Sequence, residues 1–141
     1  MPKFDRSRLC PVLLEISAIT AQCHIWRSPR NHRCGGLISF SGRYQHGSAG
    51  IDDARYIRWT LRQFLELARI DGLVIDCTKL EYIWGDDLDF PVDTDLPHRI
   101  IVPADLQDAY AHAVDKGRLG MDLDKELYKM AETIRTMKSR L

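Results

Sequence analysis

Apolar residues fall in short runs along this chain, and only a few stretches keep a sustained three- and four-residue spacing. Ala54, Ile57, Leu61, Phe64, Leu65 and Ala68 recur in that way, with Arg55, Arg58, Arg62, Glu66 and Arg69 on the opposite side. That pattern predicts an amphipathic helix over residues 49–69. Ser48 is the expected cap, Asp52 and Asp53 suit the positive end of the helix dipole, and Asp71 and Gly72 end it. Leu127, Met130, Ile134, Met137 and Leu141 predict a last helix over residues 124–140. Its spacing is close to a heptad and is read as one apolar face packed on the sheet of its own domain. A shorter helix is expected after Asp105, with Leu106, Ala109, Tyr110, Ala113 and Val114 on one face and Gly117 closing it. Residues 120–124 read as a linker.

The strands show as β-branched and aromatic runs bounded by turn residues. Residues 11–26 read as an interrupted strand, and Leu37, Ile38 and Phe40 mark a return strand within residues 34–43. Pro29 and Asn31 make residues 28–31 a turn, so the two strands form an antiparallel hairpin. Leu73, Val74 and Ile75 lead through Asp76 to Cys77 as a buried central strand, and residues 99–102 are another, stopped by Pro103. Strand, helix and strand in succession make a β-α-β unit with parallel strands. The expected fold is therefore α/β: one small domain over residues 1–141, with residues 1–9 flexible. It has a four- or five-stranded mixed sheet, made of an N-terminal antiparallel hairpin and a parallel β-α-β core, with helices mainly on one face.

Composition narrows the function. The 141 residues carry 20 basic and 20 acidic side chains and a formal net charge of zero, which removes any global pull toward nucleic acid or anionic membrane. No apolar run reaches the roughly 20 residues of a membrane helix, and the first residues lack a signal-peptide pattern. A cytoplasmic location is expected, with the four cysteines reduced and Cys77 packing as a small hydrophobe. Neutrality hides a division. No acidic residue lies between Ile16 and Ile51, a stretch holding Arg27, Arg30, Arg33 and Arg43. Between Leu80 and His98 stand Glu81, Asp86, Asp87, Asp89, Asp93 and Asp95, with no Lys or Arg. The two segments can face each other, pair two copies, steer a partner, or simply be solvated loops.

Three stretches resemble the domain shared by sulphate transporters and anti-sigma-factor antagonists, the STAS family. Residues 39–43 look like its second strand ending in a Gly-polar turn, residues 54–68 like its first crossover helix, and residues 75–83 like its central strand. The resemblance implies a non-enzymatic regulatory module. Antagonist members carry a phosphorylatable Ser or Thr in the turn after the central strand. Here Trp84, Gly85, Asp86, Asp87 and Leu88 stand there with no hydroxyl, so the turn is expected to be permanently acidic. Trp84, Gly85, Asp86, Asp87 and Asp89 are the expected partner-binding residues, with Trp84 as aromatic anchor. Arg27, Arg30, Arg33 and Arg43 form a second, basic contact region, suited to a protein partner or a second copy.

The sequence also admits other chemistry. Asp86, Asp87 and His98 are an alternative acid/base set for a small enzyme or ligand binder, and the Gly-Asp-Asp turn also looks like part of the crotonase fold. Cys23, His32 and Cys34 are zinc-type ligands without the paired spacing of a zinc site. No cofactor is expected, because no phosphate loop or dinucleotide fingerprint occurs.

Overall fold

A computed structural model of the chain describes residues 5–8, 17–45, 47–82, 89–110 and 116–139. The strands are β1 (Thr20–Arg27), β2 (Cys34–Arg43), β3 (Gly72–Glu81), β4 (His98–Ile101) and β5 (Leu119–Gly120). The helices are α1 (Ile51–Ala68), the short α2 (Gln107–Tyr110) and α3 (Leu123–Arg135). All five strands join one sheet in sequential order, β1 antiparallel to β2 and the rest parallel. This is the mixed α/β sheet expected from the hydrophobic pattern, hairpin first and β-α-β core after it.

The two faces of the sheet are covered differently. Ile38, Phe40, Leu73, Ile75, Cys77 and Ile100 share a buried cluster with Ala54, Ile57, Leu61 and Phe64 of α1 and Tyr110 of α2. Val74 and Ile101, the alternate strand residues, pack with Met130 and Ile134 of α3. Thus α1 and α2 share one face, and α3 covers the other. The step from β2 to β3 carries α1 and the step from β4 to β5 carries α2, both in one direction along the sheet and on one side, so these two have the same hand, as β-α-β units require. Among the described residues α3 is not the crossover of a parallel pair, so the handedness rule does not fix its side. Its approach is close: a Cβ on Gly72 would lie 2.6 Å from the Met130 sulfur.

β3 runs longer than its apolar core suggested because it contains a bulge. Ser39 pairs with Asp76, but Ser41 pairs with Lys79, so β3 holds one residue more than β2 across that step. The extra residue changes which face follows. Cys77 points to the α1 side, Thr78 and Lys79 are exposed, and Leu80 and Tyr82 point to the α1 side again. Asp76 fixes the bulge: its carboxylate accepts the Thr78 amide at 3.0 Å and the Thr78 hydroxyl at 2.7 Å.

Several local expectations are corrected. The N-cap of α1 is Gly50, with no side-chain cap bond, rather than Ser48. The first turn is tied from outside, by Asp53 accepting the Gln45 amide and the Ser17 hydroxyl. Asp105 sits inside a 3-10 turn (Ala104–Leu106) capped by Pro103, and the helix that follows is Gln107–Tyr110, with residues 111–115 outside the described residues. The expected linker begins with a strand residue: Gly120 pairs with Ile101 in β5. A bare backbone suffices there, since a Cβ would meet the Glu126 side chain at 2.8 Å. α3 begins one residue early, capped by Asp122, and ends at Arg135.

Candidate functional site

Trp84, Gly85, Asp86 and Asp87 lie outside the described residues. Asp89 is described and exposed, and it pairs with Arg58 of α1 at 3.2 Å. Arg43 stands opposite Glu81 in the β2–β3 ladder, so the basic and acidic segments do meet at one rung. Of the four arginines read as a basic surface, Arg27, Arg30 and Arg43 are exposed. Arg33 is engaged within the fold instead. It pairs with Asp71 at 2.9 Å and donates to the Lys138 carbonyl at 2.7 Å. Its neighbour Asn31 is buried, and its amide donates to the carbonyls of Ile134 at 2.7 Å and Met137 at 3.0 Å. The hairpin tip is thus a clamp on the carboxyl end of α3, which explains a polar residue so deep in a turn.

The hairpin register separates the zinc-type residues. Cys23 pairs with Ile38 and Cys34 with Arg27, four rungs apart, or about 13 Å at about 3.3 Å per residue. Neither a shared metal nor a Cys23–Cys34 disulfide spans that gap. No three potential metal ligands come together among the described residues. His98 begins β4 beside Leu73, at the amino edge of the sheet, whereas the acidic turn leaves β3 from its carboxyl edge. Nothing among the described residues joins His98 to that turn. Cys77 is sealed in the core, and burial followed by the neighbouring Asp76 charge pushes its thiol well above the ordinary range. With the interlocked rings of Tyr44, Tyr82 and Tyr110, it is packing rather than a nucleophile.

The surface that the fold leaves unsatisfied lies elsewhere. β1 is an end strand of the sheet, and nothing among the described residues pairs with its outer edge. Six of its eight residues are exposed, and Ala21 and Trp26 are half-buried. Beside it runs a groove of about 350 Å³ between β1 and α1, lined almost wholly by carbon. Its walls are Cys23 and Ile25 on the strand and Trp59 and Leu67 on the helix, and Phe64 is at its floor. Ile25 is 55% exposed, Trp59 51% and Leu67 82%. Trp59 and Leu67 lie eight residues apart on α1, outside its core stripe, and the sheet ends before it can cover them. An open strand edge beside a hydrophobic trough accepts an added strand, with backbone bonds along the edge and alternate side chains dropping into the trough.

These residues were missed in the sequence. The available signal was that α1 carries more apolar positions than one sheet face can bury, with Trp59 and Leu67 left over. No known family model matches this chain, and no curated sequence matches it either.

Proposed function

We propose that this chain is a non-enzymatic, cytoplasmic, STAS-like protein-interaction module whose working surface is the β1 edge with the groove beside it. The occupant is an extended segment of a partner protein with alternating apolar residues and an acidic excess. The eight-residue β1 edge, unpaired on its outer side among the described residues, beside a carbon-lined trough carries this reading. The charge of the partner is argued from the strand: β1 lies in the stretch of sequence without a carboxylate, and Arg27, two residues from Ile25 on the same strand, is exposed. A second copy of the chain would bring the same cations together, which favours a different partner. The acidic turn at Trp84, Asp86 and Asp87 remains a proposed second contact, tested by Asp86→Lys with Asp87→Lys.

The test is selection of a randomised peptide display library on the wild-type protein and on Ile25→Lys/Leu67→Asp. Both substituted side chains are exposed, so the fold tolerates the change. The wild type should enrich peptides with apolar residues at alternate positions and acidic residues between them, and the variant should not. Binding should weaken as salt rises, through slower association. Equal enrichment on both proteins would overturn the proposal. So would a concentration-dependent dimer abolished by Ile25→Lys, which would make the occupant a second copy.

A further inference from the structure

A second hollow lies on the far side of the molecule, and its chemistry is opposite to that of the groove. It is an open cleft of about 510 Å³ at the amino ends of β4 and β5, walled by α3. Three cations border it, Arg99, Arg118 and Lys129, with one carboxylate, Glu126. Glu126 is buried and committed to Arg99, whose Nε donates to it at 2.9 Å. Arg99 is also held by the Gly117 and Leu119 carbonyls. Lys129 reaches Glu126 only at 4.0 Å and is largely exposed. Two positive charges are therefore left over.

Arg118 is the telling residue. It pairs with no carboxylate among the described residues. Its Nη1 lies instead 3.2 Å from Nδ1 of His98. That nitrogen already stands 2.8 Å from the Leu96 carbonyl. A carbonyl oxygen can only accept and a guanidinium can only donate, so a single tautomer of His98 cannot serve both contacts through Nδ1. Arg118 has five N–H donors, and among the described residues no carboxylate meets them. It shares the cleft with the exposed Lys129. An anion placed between Arg118 and Lys129 would accept from both.

We propose that this cleft binds the phosphate group of a small phosphomonoester, with Arg118 and Lys129 as its ligands and Arg99 as a fixed, neutralised floor. Arginine with lysine is the donor set that suits phosphate oxygens, one as a planar fork and one as a point charge. The volume lies in the range of small-molecule sites, roughly 300–1,000 Å³. A nucleic-acid strand needs a longer basic track than this, and the chain has no net positive charge to steer one. The proposal does not depend on the β1 groove, which is at the other end of the sheet.

The test is NMR titration of the protein in a phosphate-free buffer with inorganic phosphate and with phenyl phosphate, against chloride at matched ionic strength. Both phosphates should shift Arg118, Lys129 and His98 signals saturably, with Kd on the order of 1 mM or tighter. Phenyl phosphate should bind more tightly than inorganic phosphate if the cleft takes an ester rather than the free ion. Arg118→Ala and Lys129→Ala should each weaken binding about tenfold or more, as loss of a charge-assisted bond implies. Lys129 is exposed, so its variant keeps the fold, and Arg55→Ala/Arg62→Ala on α1 should bind as the wild type does. The pKa of His98, followed in the same spectra, should rise when phosphate offsets the Arg118 charge. Shifts matched by chloride, or unchanged affinity in Lys129→Ala and Arg118→Ala, would overturn the proposal. Tighter binding of inorganic phosphate than of the ester would overturn its assignment to an ester.

Discussion

Asn31 shows how much a single side chain can decide. Its amide bonds the carbonyls of Ile134, in the last turn of α3, and Met137, just beyond it; the first of these also accepts the Met137 amide at 3.1 Å. Asn31→Ala should lower stability by about 1–3 kcal/mol, the cost of orphaning buried polar groups, measured by urea unfolding. Asn31→Asp should do no better, because a carboxylate cannot donate to those carbonyls. His98 makes a different residue-scale prediction. Burial chiefly, and then the Arg118 charge, hold its pKa below the ordinary 6.5, against the raising effect of the Leu96 carbonyl. As pH falls below about 6.5, the unfolded chain takes up the proton before the folded one. The stability linked to His98 should therefore be complete above 6.5 and be lost as pH falls from there through the folded pKa. Unfolding in a phosphate-free buffer should show that dependence, and His98→Gln should remove it.

At the scale of elements, the bulge in β3 matters most. A strand alternates faces strictly, so Cys77 and Leu80 face the same core only because an extra residue lies between them. Deletion of Thr78 restores plain alternation and leaves Cys77, Leu80 and Tyr82 on the α1 side. That variant should fold, less stable by about 1–3 kcal/mol because Asp76 loses both of its Thr78 donors. Deletion of Lys79 as well leaves Leu80 next to Cys77 and should turn Leu80 and Tyr82 out of the core and prevent folding. Near-ultraviolet circular dichroism and thermal melting of both variants would distinguish these outcomes. The bulge also sets where β3 ends and so from where the acidic turn departs.

At the scale of the molecule, the sheet separates the two hollows. The groove belongs to β1 and the α1 face, and the cleft to β4, β5 and α3. With strands about 4.8 Å apart, β1 and β4 are roughly 14 Å from each other across the sheet. Substitutions in one hollow should act independently of those in the other. Ile25→Lys/Leu67→Asp should leave the phosphate-induced NMR shifts unaltered, and Arg118→Ala should leave peptide binding unaltered. Coupling beyond about 0.5 kcal/mol between them would mean that the sheet transmits strain from face to face.

Much of the architecture was legible in the chain. The spacing of Ala54, Ile57, Leu61 and Phe64 determined α1 and its buried face, because helix periodicity and burial are local in sequence. Leu37, Ile38 and Phe40 marked β2, and the succession of elements determined a hairpin followed by a parallel unit. The sequence also located α3 and its Met130 and Ile134 stripe. Only the tertiary structure decided that α3 covers the second face, because a helix pattern does not say which side of a sheet it meets. It alone turned Asn31 and Arg33 from surface residues into a clamp on a helix more than 100 residues later. The β1 edge, the trough beside Trp59 and the placing of Arg118 beside Lys129 in one cleft were illegible for the same reason. Each is defined by which of the described residues lie beside it in space, and a sequence records neighbours along the chain, not those across it.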